Sequence, residues 1–266
     1  MSFIDRYGPW ALVLGASEGL GAAWADGIAA RGLNVVVVAR RAELLDEVAR
    51  DVAARHGVEA RALALDLAAD DLVDALRDLT DTLEIGLVVY NGASGYVGPF
   101  VDQTVDSLRS IVAVNCTSPL LVCEHYGKRM LGRGRGGIVL MGSAAGLAGA
   151  AFNSAYSASK AFDIILGEAL WAEWRASGVD VVGVIGPAID TPNFRANMPS
   201  RDNLPSAIAP SVLVDEVFDV LGTVPSFVPG EEVRNGLAML GALPRQQQVE
   251  VMSAAHAAFA DSHNVV

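Results

Sequence analysis

The apolar residues of this 266-residue chain follow two patterns that alternate along most of its length. Short, uninterrupted apolar runs predict strands buried on both faces of a sheet, and apolar residues that recur every three or four positions predict helices. The predicted strands are 10–14, 35–39, 59–65, 85–90, 138–141, 179–185 and 226–228. The predicted helices are 20–30, 42–56, 70–79, 105–133, 161–170 and 237–260. This alternation favours one α/β domain over residues 1–266 rather than two small domains.

The predicted helix over 105–133 contains an interruption. Pro119 removes one helical hydrogen bond, and Asn115 lies just before it at the end of an apolar run. A buried Asn must be hydrogen-bonded, so Asn115 either ties down the kink or holds a water at an active site.

Two segments near the end of the chain break the strand and helix pattern. The segment of about 190–210 follows a predicted strand and is rich in Pro and Asn, which is typical of a substrate lid. Residues of about 231–266 form a predicted helical extension, broken at Pro244.

Residues 15–21, Gly-Ala-Ser-Glu-Gly-Leu-Gly, connect the first predicted strand to the first predicted helix. Small residues in this position let a pyrophosphate approach the backbone at the positive end of a helix. The spacing is Gly-x-x-x-Gly-x-Gly rather than the commoner Gly-x-Gly-x-x-Gly, and the chain has 27 glycines. An ordinary tight turn is therefore an equal alternative from this motif alone.

The second predicted strand ends at Ala39 and is followed by Arg40 and Arg41. An acidic residue here suits the ribose diol of NAD, whereas a positive charge suits the 2′-phosphate of NADP. The pair favours NADP(H), with Arg40 as the main contact, and leaves NAD(H) possible. The alternative is a solvated charge pair in a loop, and Glu18 in the glycine turn counts against a nearby phosphate.

The third and fourth predicted strands also end in residues that suit a cofactor. Asp66 is a candidate to hydrogen-bond an adenine amino group, or else it caps the next helix. Residues 91–95, Asn-Gly-Ala-Ser-Gly, are small and suit a cofactor that crosses the carboxyl ends of the strands.

Tyr156 and Lys160 lie four residues apart at the start of the predicted helix that continues over 161–170, so they share one face of it. The chain has seventeen Arg and only two Lys, Lys128 and Lys160. A compact ammonium can contact both a phenol and another oxygen, a role that the planar guanidinium fills poorly.

Composition excludes several classes of partner. A net charge of -12 argues against a nucleic-acid backbone or an anionic membrane. No apolar run approaches the length of a membrane span, and residues 1–10 do not resemble a signal peptide, so we expect a soluble, cytoplasmic protein. The four His and two Cys lack metal-ligand spacing, which predicts no metal, and Cys116 and Cys123 are expected to be reduced.

With these motifs in this order, the chain resembles the short-chain dehydrogenase/reductase family over about residues 8–230. The resemblance implies an α/β fold, a Rossmann-like doubly wound sheet of about seven parallel strands with helices on both faces, assembled as a homodimer or homotetramer. It also implies an NADP(H)-dependent oxidoreductase that interconverts a secondary alcohol and a ketone. The usual Asn-Asn-Ala-Gly of the family is replaced by Tyr90-Asn-Gly-Ala93, and its Pro-Gly is inverted to Gly186-Pro187.

The resemblance assigns roles to individual residues. Tyr156 exchanges the substrate proton, Lys160 favours the phenolate and binds the nicotinamide ribose, Ser143 holds the substrate oxygen, and Asn115 supports a proton-relaying water. The cofactor-binding residues are Gly15, Ser17, Glu18, Gly19, Leu20, Gly21, Arg40, Arg41, Asp66, Leu67, Asn91, Gly92, Ala93, Tyr156, Lys160, Pro187, Ile189 and Thr191.

The predicted substrate pocket is apolar, which suits a small apolar carbonyl compound or alcohol. Besides Ser143 and Tyr156, its predicted residues are Tyr96, Phe152 and Phe194. Two other functions use a similar fold: a catalytically silent NADP-binding regulatory or scaffold protein, and a nucleotide-dependent methyltransferase, which has no use for Tyr156 and Lys160.

Overall fold

In the computed structural model, which describes residues 2–196 and 207–263, seven strands form one sheet. The strand order is β3-β2-β1-β4-β5-β6-β7, and every pair of neighbours is parallel. The strands are β1 Trp10–Leu14, β2 Asn34–Ala39, β3 Ala60–Ala64, β4 Ile85–Tyr90, β5 Gly136–Met141, β6 Val179–Val184 and β7 Ser226–Phe227.

The helices are α1 Phe3–Tyr7, α2 Gly19–Ala30, α3 Ala42–His56, α4 Leu72–Thr80, α5 Val105–Val112, α6 Ser118–Arg133, α7 Ser154–Trp174, α8 Pro192–Ala196, α9 Pro210–Val220, α10 Glu231–Gly241 and α11 Arg245–His263. None of them, within the described residues, is long and apolar enough to cross a bilayer.

Two hydrophobic cores lie on opposite faces of the sheet. Alternate residues of β1 belong to different cores: Val13 packs in the core that contains Trp24 of α2, and Leu12 in the core that contains Leu76 of α4. Because successive side chains of a strand point to opposite faces, this division shows helices on both sides. The predicted doubly wound parallel sheet is confirmed.

The first helix was not predicted. Ser2 and Asp5 form a reciprocal capping box at its start, and Arg6 and Tyr7 at its end hydrogen-bond the buried carboxylate of Asp180 on β6. A helix of five residues is too short to show an apolar repeat, and a buried contact 173 residues away along the chain fixes it.

The interruption in the helix over 105–133 takes the form of one π-helical turn, Ala113–Thr117. Asn115 lies inside this turn and is fully buried. π-turns inside longer helices are rare and occur frequently at functional sites.

The predicted lid lies partly outside the described residues, since 197–206 are not among them. The described parts on either side meet: Ile189 and Ile208 form a parallel β-bridge, and α8 begins at Pro192. The predicted C-terminal extension contains α10 and α11, with Pro244 between them.

Candidate active site

The glycine turn brings backbone against backbone. Gly15 and Gly19 have φ of +83° and +57°, in the left-handed region that favours glycine. A Cβ on Gly15 would lie 2.6 Å from the backbone of Gly92, and a Cβ on Gly21 would overlap the carbonyl oxygen of Gly15. The turn leads into the N-terminus of the 12-residue helix α2, where free backbone N–H groups and the helix dipole favour an anion.

The loop after β4 is attached to this turn. Asn91 Nδ2 donates to the carbonyl oxygen of Gly15 over 2.9 Å, and the Asn91 N–H donates to that of Leu14 over 3.0 Å. A Cβ on Gly92 would overlap the side chain of Leu67. The predicted cofactor residues Gly15, Gly92 and Leu67 are therefore in close contact. The adjacent Ala93 is exposed. These bonds place Asn91 directly beside the glycine turn.

The two arginines after β2 have different surroundings. Arg41 contacts the glycine turn through Ser17 Oγ at 2.9 Å and Glu18 Oε1 at 2.6 Å. Arg40 is exposed and has no ion-pair partner among the residues that the structure describes. Because Arg41 neutralises Glu18, the turn is not an obstacle to a phosphate, and Arg40 supplies the uncompensated positive charge.

Asp66 is exposed after β3, and its Oδ1 accepts a hydrogen bond from the Ala68 N–H over 3.0 Å. Helix α4 begins only at Leu72 with Asp71 at its N-cap, so the alternative of Asp66 as the helix cap is wrong. Asp66 closes a local turn instead, and this contact uses one of its two carboxylate oxygens.

Three predicted cofactor residues follow β6. Pro187, Ile189 and Thr191 are partly buried. A Cβ on Gly19 would lie 3.1 Å from the Thr191 side chain, which places Thr191 next to the glycine turn. Thr191 Oγ1 accepts a hydrogen bond from the Phe194 N–H over 3.1 Å.

Tyr156 and Lys160 lie on the first two turns of α7. The Tyr156 side chain is partly exposed, and its ring lies against the backbone of Gly95, where a Cβ would be 3.1 Å from Cδ2. Lys160 is buried, and its Nζ lies 6.0 Å from the centre of the Tyr156 ring. The ammonium donates to the Met141 carbonyl oxygen over 2.7 Å and to Asp163 Oδ2 over 2.9 Å.

Ser143 begins a short helical turn directly after β5. Its Oγ accepts from the Ala145 N–H over 3.2 Å, and the Ala144 N–H donates to the Gly186 carbonyl oxygen over 2.9 Å. A Cβ on Gly146 would lie 2.5 Å from the backbone of Ala161, so the turn packs directly on α7. Close packing therefore brings the Ser143 turn to the part of α7 that carries Lys160.

The side chain of Asn115 joins three segments. Its Oδ1 accepts from the Ser94 N–H, and its Nδ2 donates to the Ser94 carbonyl oxygen and to Ser159 Oγ, each over 2.8 Å. Ser159 Oγ in turn donates to the Tyr156 carbonyl oxygen over 2.8 Å. Of the two roles left open for Asn115, the contacts of its side chain match the one that ties down the kink.

The predicted substrate wall is formed by two loops that contact each other. The Gly98 N–H donates to the carbonyl oxygen of Phe152 over 2.8 Å, and the Tyr96 hydroxyl lies over Gly98. Phe152 has a φ of +64°, which costs a non-glycine residue conformational energy. Phe194 is partly buried on α8, where its N–H donates to Thr191 Oγ1 after β6.

The arrangement fits a dinucleotide. A backbone cradle that side chains would fill, an anion-binding helix terminus and an exposed arginine all lie at the carboxyl edge of the sheet. Within the described residues no group of three or more His, Cys, Asp or Glu could hold a metal. The sequence interpretation missed Ser94, Ser159 and Asp163, although Asp163 stands out as the one carboxylate close to Lys160 in an apolar helix.

Known proteins share both the sequence and the fold. A model of the short chain dehydrogenase family matches residues 9–202. The 7β-hydroxysteroid dehydrogenase of Collinsella aerofaciens is 30% identical over 241 residues, which are 89% of this chain and 92% of that enzyme.

Two solved structures are similar. One, from a study of 7β-hydroxysteroid dehydrogenase stereoselectivity, has a TM-score of 0.90 at 28% identity and covers 95% of this chain and 99% of its own. A short-chain dehydrogenase from Sphingobium yanoikuyae in complex with NADPH has a TM-score of 0.76 at 30% identity, covering 90% and 94%.

Proposed function

Because the chain belongs to the short-chain dehydrogenase/reductase family, an oxidoreductase family that acts on CH–OH and C=O groups, we propose that it uses NADP(H) to interconvert a secondary alcohol and a ketone on an apolar substrate. The observation that carries the proposal is the placement of Tyr156 and the buried Lys160 on one face of α7, next to the Ser143 turn.

In the proposed reaction Tyr156 Oη moves the proton at the substrate oxygen, and Ser143 Oγ donates a hydrogen bond to that oxygen. The ammonium of Lys160 favours the phenolate of Tyr156 by its charge and binds the nicotinamide ribose with its remaining proton. When bound, the dinucleotide supplies the hydride acceptor or donor. The glycine turn would hold its pyrophosphate, and Thr191 and Asn91 would line its path across the sheet edge.

The charge distribution at the end of β2 supports NADP(H). Arg41 neutralises Glu18, and Arg40 is left to attract the 2′-phosphate. The Sphingobium yanoikuyae enzyme, a relative of similar fold, binds NADPH, and this supports the same cofactor for the present chain.

The cofactor preference is tested by two aspartate variants. In Arg40→Asp the ratio of kcat/KM with NADPH to that with NADH should fall at least tenfold, because a favourable charge contact becomes repulsive. Arg41→Asp should lower the ratio too, since it also leaves Glu18 unneutralised. Lys128→Asp, on the exposed surface of α6 where Lys128 pairs with Glu124, is the control and should leave the ratio unchanged. An unchanged ratio in both arginine variants would move the phosphate contact elsewhere.

The side chains of the substrate loops support an apolar substrate. Tyr96 and Phe152 are aromatic and lie on loops that contact each other. The similarity to 7β-hydroxysteroid dehydrogenase makes a hydroxysteroid or its ketone the first class to assay. We expect turnover of hydroxysteroids with NADP+ and of the matching ketones with NADPH, and little turnover of small hydrophilic alcohols. The reverse preference would contradict the apolar pocket.

The proposal includes a cytoplasmic homodimer or homotetramer. Large apolar side chains are exposed on three consecutive helices, namely Val112 of α5, Leu120 and Leu121 of α6, and Ile165 of α7. Such side chains favour burial against another copy. Light scattering after size-exclusion chromatography measures the assembly, and a monomer at micromolar concentration would refute this part.

A further inference from the structure

A buried carboxylate lies beside the ammonium of Lys160. Asp163, one turn later on α7, is 1% exposed, and Lys160 is 2% exposed. Lys160 Nζ donates to Asp163 Oδ2 over 2.9 Å and to the Met141 carbonyl oxygen over 2.7 Å. Two of the three ammonium protons thus have fixed acceptors, which leaves one for Tyr156 or the cofactor.

The carboxylate is costly where it lies. Asp163 Oδ1 is buried and has no hydrogen-bond partner among the residues that the structure describes. A buried ion pair with an unsatisfied oxygen is usually no more stabilising than an apolar residue of similar size. Stability alone therefore does not account for a charge at this position. Within the described residues, the only ionic contact of Asp163 is with the ammonium of Lys160 in the proposed active site.

We propose that Asp163 is a positioning residue, which holds the ammonium of Lys160 in place beside the end of β5. Its negative charge also sets the pH at which Tyr156 becomes a phenolate. The proposal rests on the proposed roles of Tyr156 and Lys160.

The other titratable groups that face Asp163 do not supply this charge. They are Tyr90 at the end of β4, Cys116 in the π-turn and Cys123 on α6. Burial raises the pKa of all three, and that of Cys123 to about 12, so they are neutral at physiological pH. Burial also raises the pKa of the Asp163 carboxyl, and the Lys160 ammonium beside it opposes this rise. Lys160 and Asp163 form the ion pair of this region, with Nζ and Oδ2 2.9 Å apart.

The sign of the effect follows from these charges. The Lys160 ammonium favours the phenolate of Tyr156, and the Asp163 carboxylate offsets part of that field. Nζ lies 2.9 Å from Asp163 Oδ2 and 6.0 Å from the Tyr156 ring centre. The sum of these two distances sets an upper limit of roughly 9 Å on the separation between Asp163 Oδ2 and the Tyr156 ring centre, and a charge at that distance, at an effective dielectric constant of about 20, shifts a titration by about one pH unit. Without Asp163, the phenolate should form at lower pH by about that amount.

Asp163→Asn tests the charge while keeping an acceptor oxygen for Lys160. We expect the rising limb of kcat/KM against pH for alcohol oxidation to move about one unit lower, with the plateau within a few-fold of wild type. Glu168→Gln is the matched control, because Glu168 is a carboxylate on the same helix that bonds Ser226 Oγ and not Lys160. Its limb should coincide with that of the wild type.

Asp163→Leu tests the positioning. It removes the acceptor as well as the charge, so Lys160 loses one of its two anchors. NADPH affinity and kcat should each fall at least tenfold, and Asp163→Asn should rescue most of both losses.

A spectroscopic titration keeps this test independent of the proposed function. The ultraviolet signal of tyrosinate that is lost in Tyr156→Phe reports Tyr156 alone, and it should also move about one unit lower when Asp163→Asn is introduced. If the wild type turns over no alcohol or ketone, the proposed function fails while this titration still decides the role of Asp163.

Three results would overturn the proposal. In the first, the rising limb of kcat/KM against pH and the tyrosinate titration of Asp163→Asn both stay at the wild-type pH or move to higher pH. Another is a uniform loss of activity at all pH values with a lowered melting temperature, which a merely structural residue would produce. The third is failure of both Asp163→Asn and Asp163→Ser to fold while Glu168→Gln folds.

Discussion

Replacement of Asn115 by alanine separates an anchoring role from a purely chemical one. The variant removes three hydrogen bonds, two to the backbone of Ser94 and one to Ser159 Oγ. It leaves the Ser94 N–H and C=O groups without the protein partners that they have now. Each of these two groups costs about 1–3 kcal/mol, so the free energy of unfolding should fall by about 2–6 kcal/mol.

The assay is thermal unfolding combined with steady-state kinetics. In a chain of this size each kcal/mol lowers Tm by about 2–4 °C, which predicts a fall of about 4–24 °C. Activity should also fall at least tenfold, because Ser159 connects Asn115 to the backbone of Tyr156. Asn34→Ala is a suitable control, since Asn34 accepts one exposed hydrogen bond, from the Glu59 N–H, and lies away from the site.

The anchoring account of Asn115 makes stability and activity fall together. An Asn115→Ala protein that melts like the wild type, whatever its activity, would refute the reasoning from these hydrogen bonds. A wild-type Tm with lost turnover would instead favour a role for Asn115 in holding a water.

Three further predictions concern packing. Gly21→Ala should abolish NADPH binding and lower Tm, because the new Cβ would overlap the backbone of Gly15. Gly132→Ala in α6, where the new Cβ meets open space, should raise the free energy of unfolding by about 0.5–1 kcal/mol. Calorimetry checks both variants. Asp180→Ala should lower the free energy of unfolding by about 1–3 kcal/mol in urea titrations, since the buried carboxylate accepts from the Tyr7 hydroxyl and pairs with Arg6, whose side chain is 40% exposed. Burial raises the pKa of Cys123 to about 12, so at pH 8 iodoacetamide should modify it only after denaturation, and rapid modification of the native protein would contradict its burial.

The fold was predictable because the central strands of its sheet are buried on both faces. The runs at 10–14 and 85–90 are apolar throughout and coincide with β1 and β4. Helix α1 was not predictable, since its five residues depend on Asp180, a contact that no local pattern reveals. Helix α4 begins two residues later than predicted, because residues 66–69 form a separate turn closed by Asp66.

The chemistry of the site was predictable where it depends on spacing along one element. Tyr156 and Lys160 are four residues apart on a helix, so their proximity follows from helix geometry. Contacts between elements were not predictable: the pairing of Arg41 with Glu18 depends on how β2 and the glycine turn meet. The role of Asn115 as a link to Ser94 required the three-dimensional arrangement as well.

The central claim is that Tyr156 exchanges the substrate proton, and Tyr156→Phe tests it most directly. The variant keeps the ring that packs against Gly95 and removes only the hydroxyl. We predict that it binds NADPH within a few-fold of the wild type, melts at the same temperature, and loses at least a thousandfold in kcat in both directions. Retention of full activity with NADPH and the preferred ketone would contradict the account.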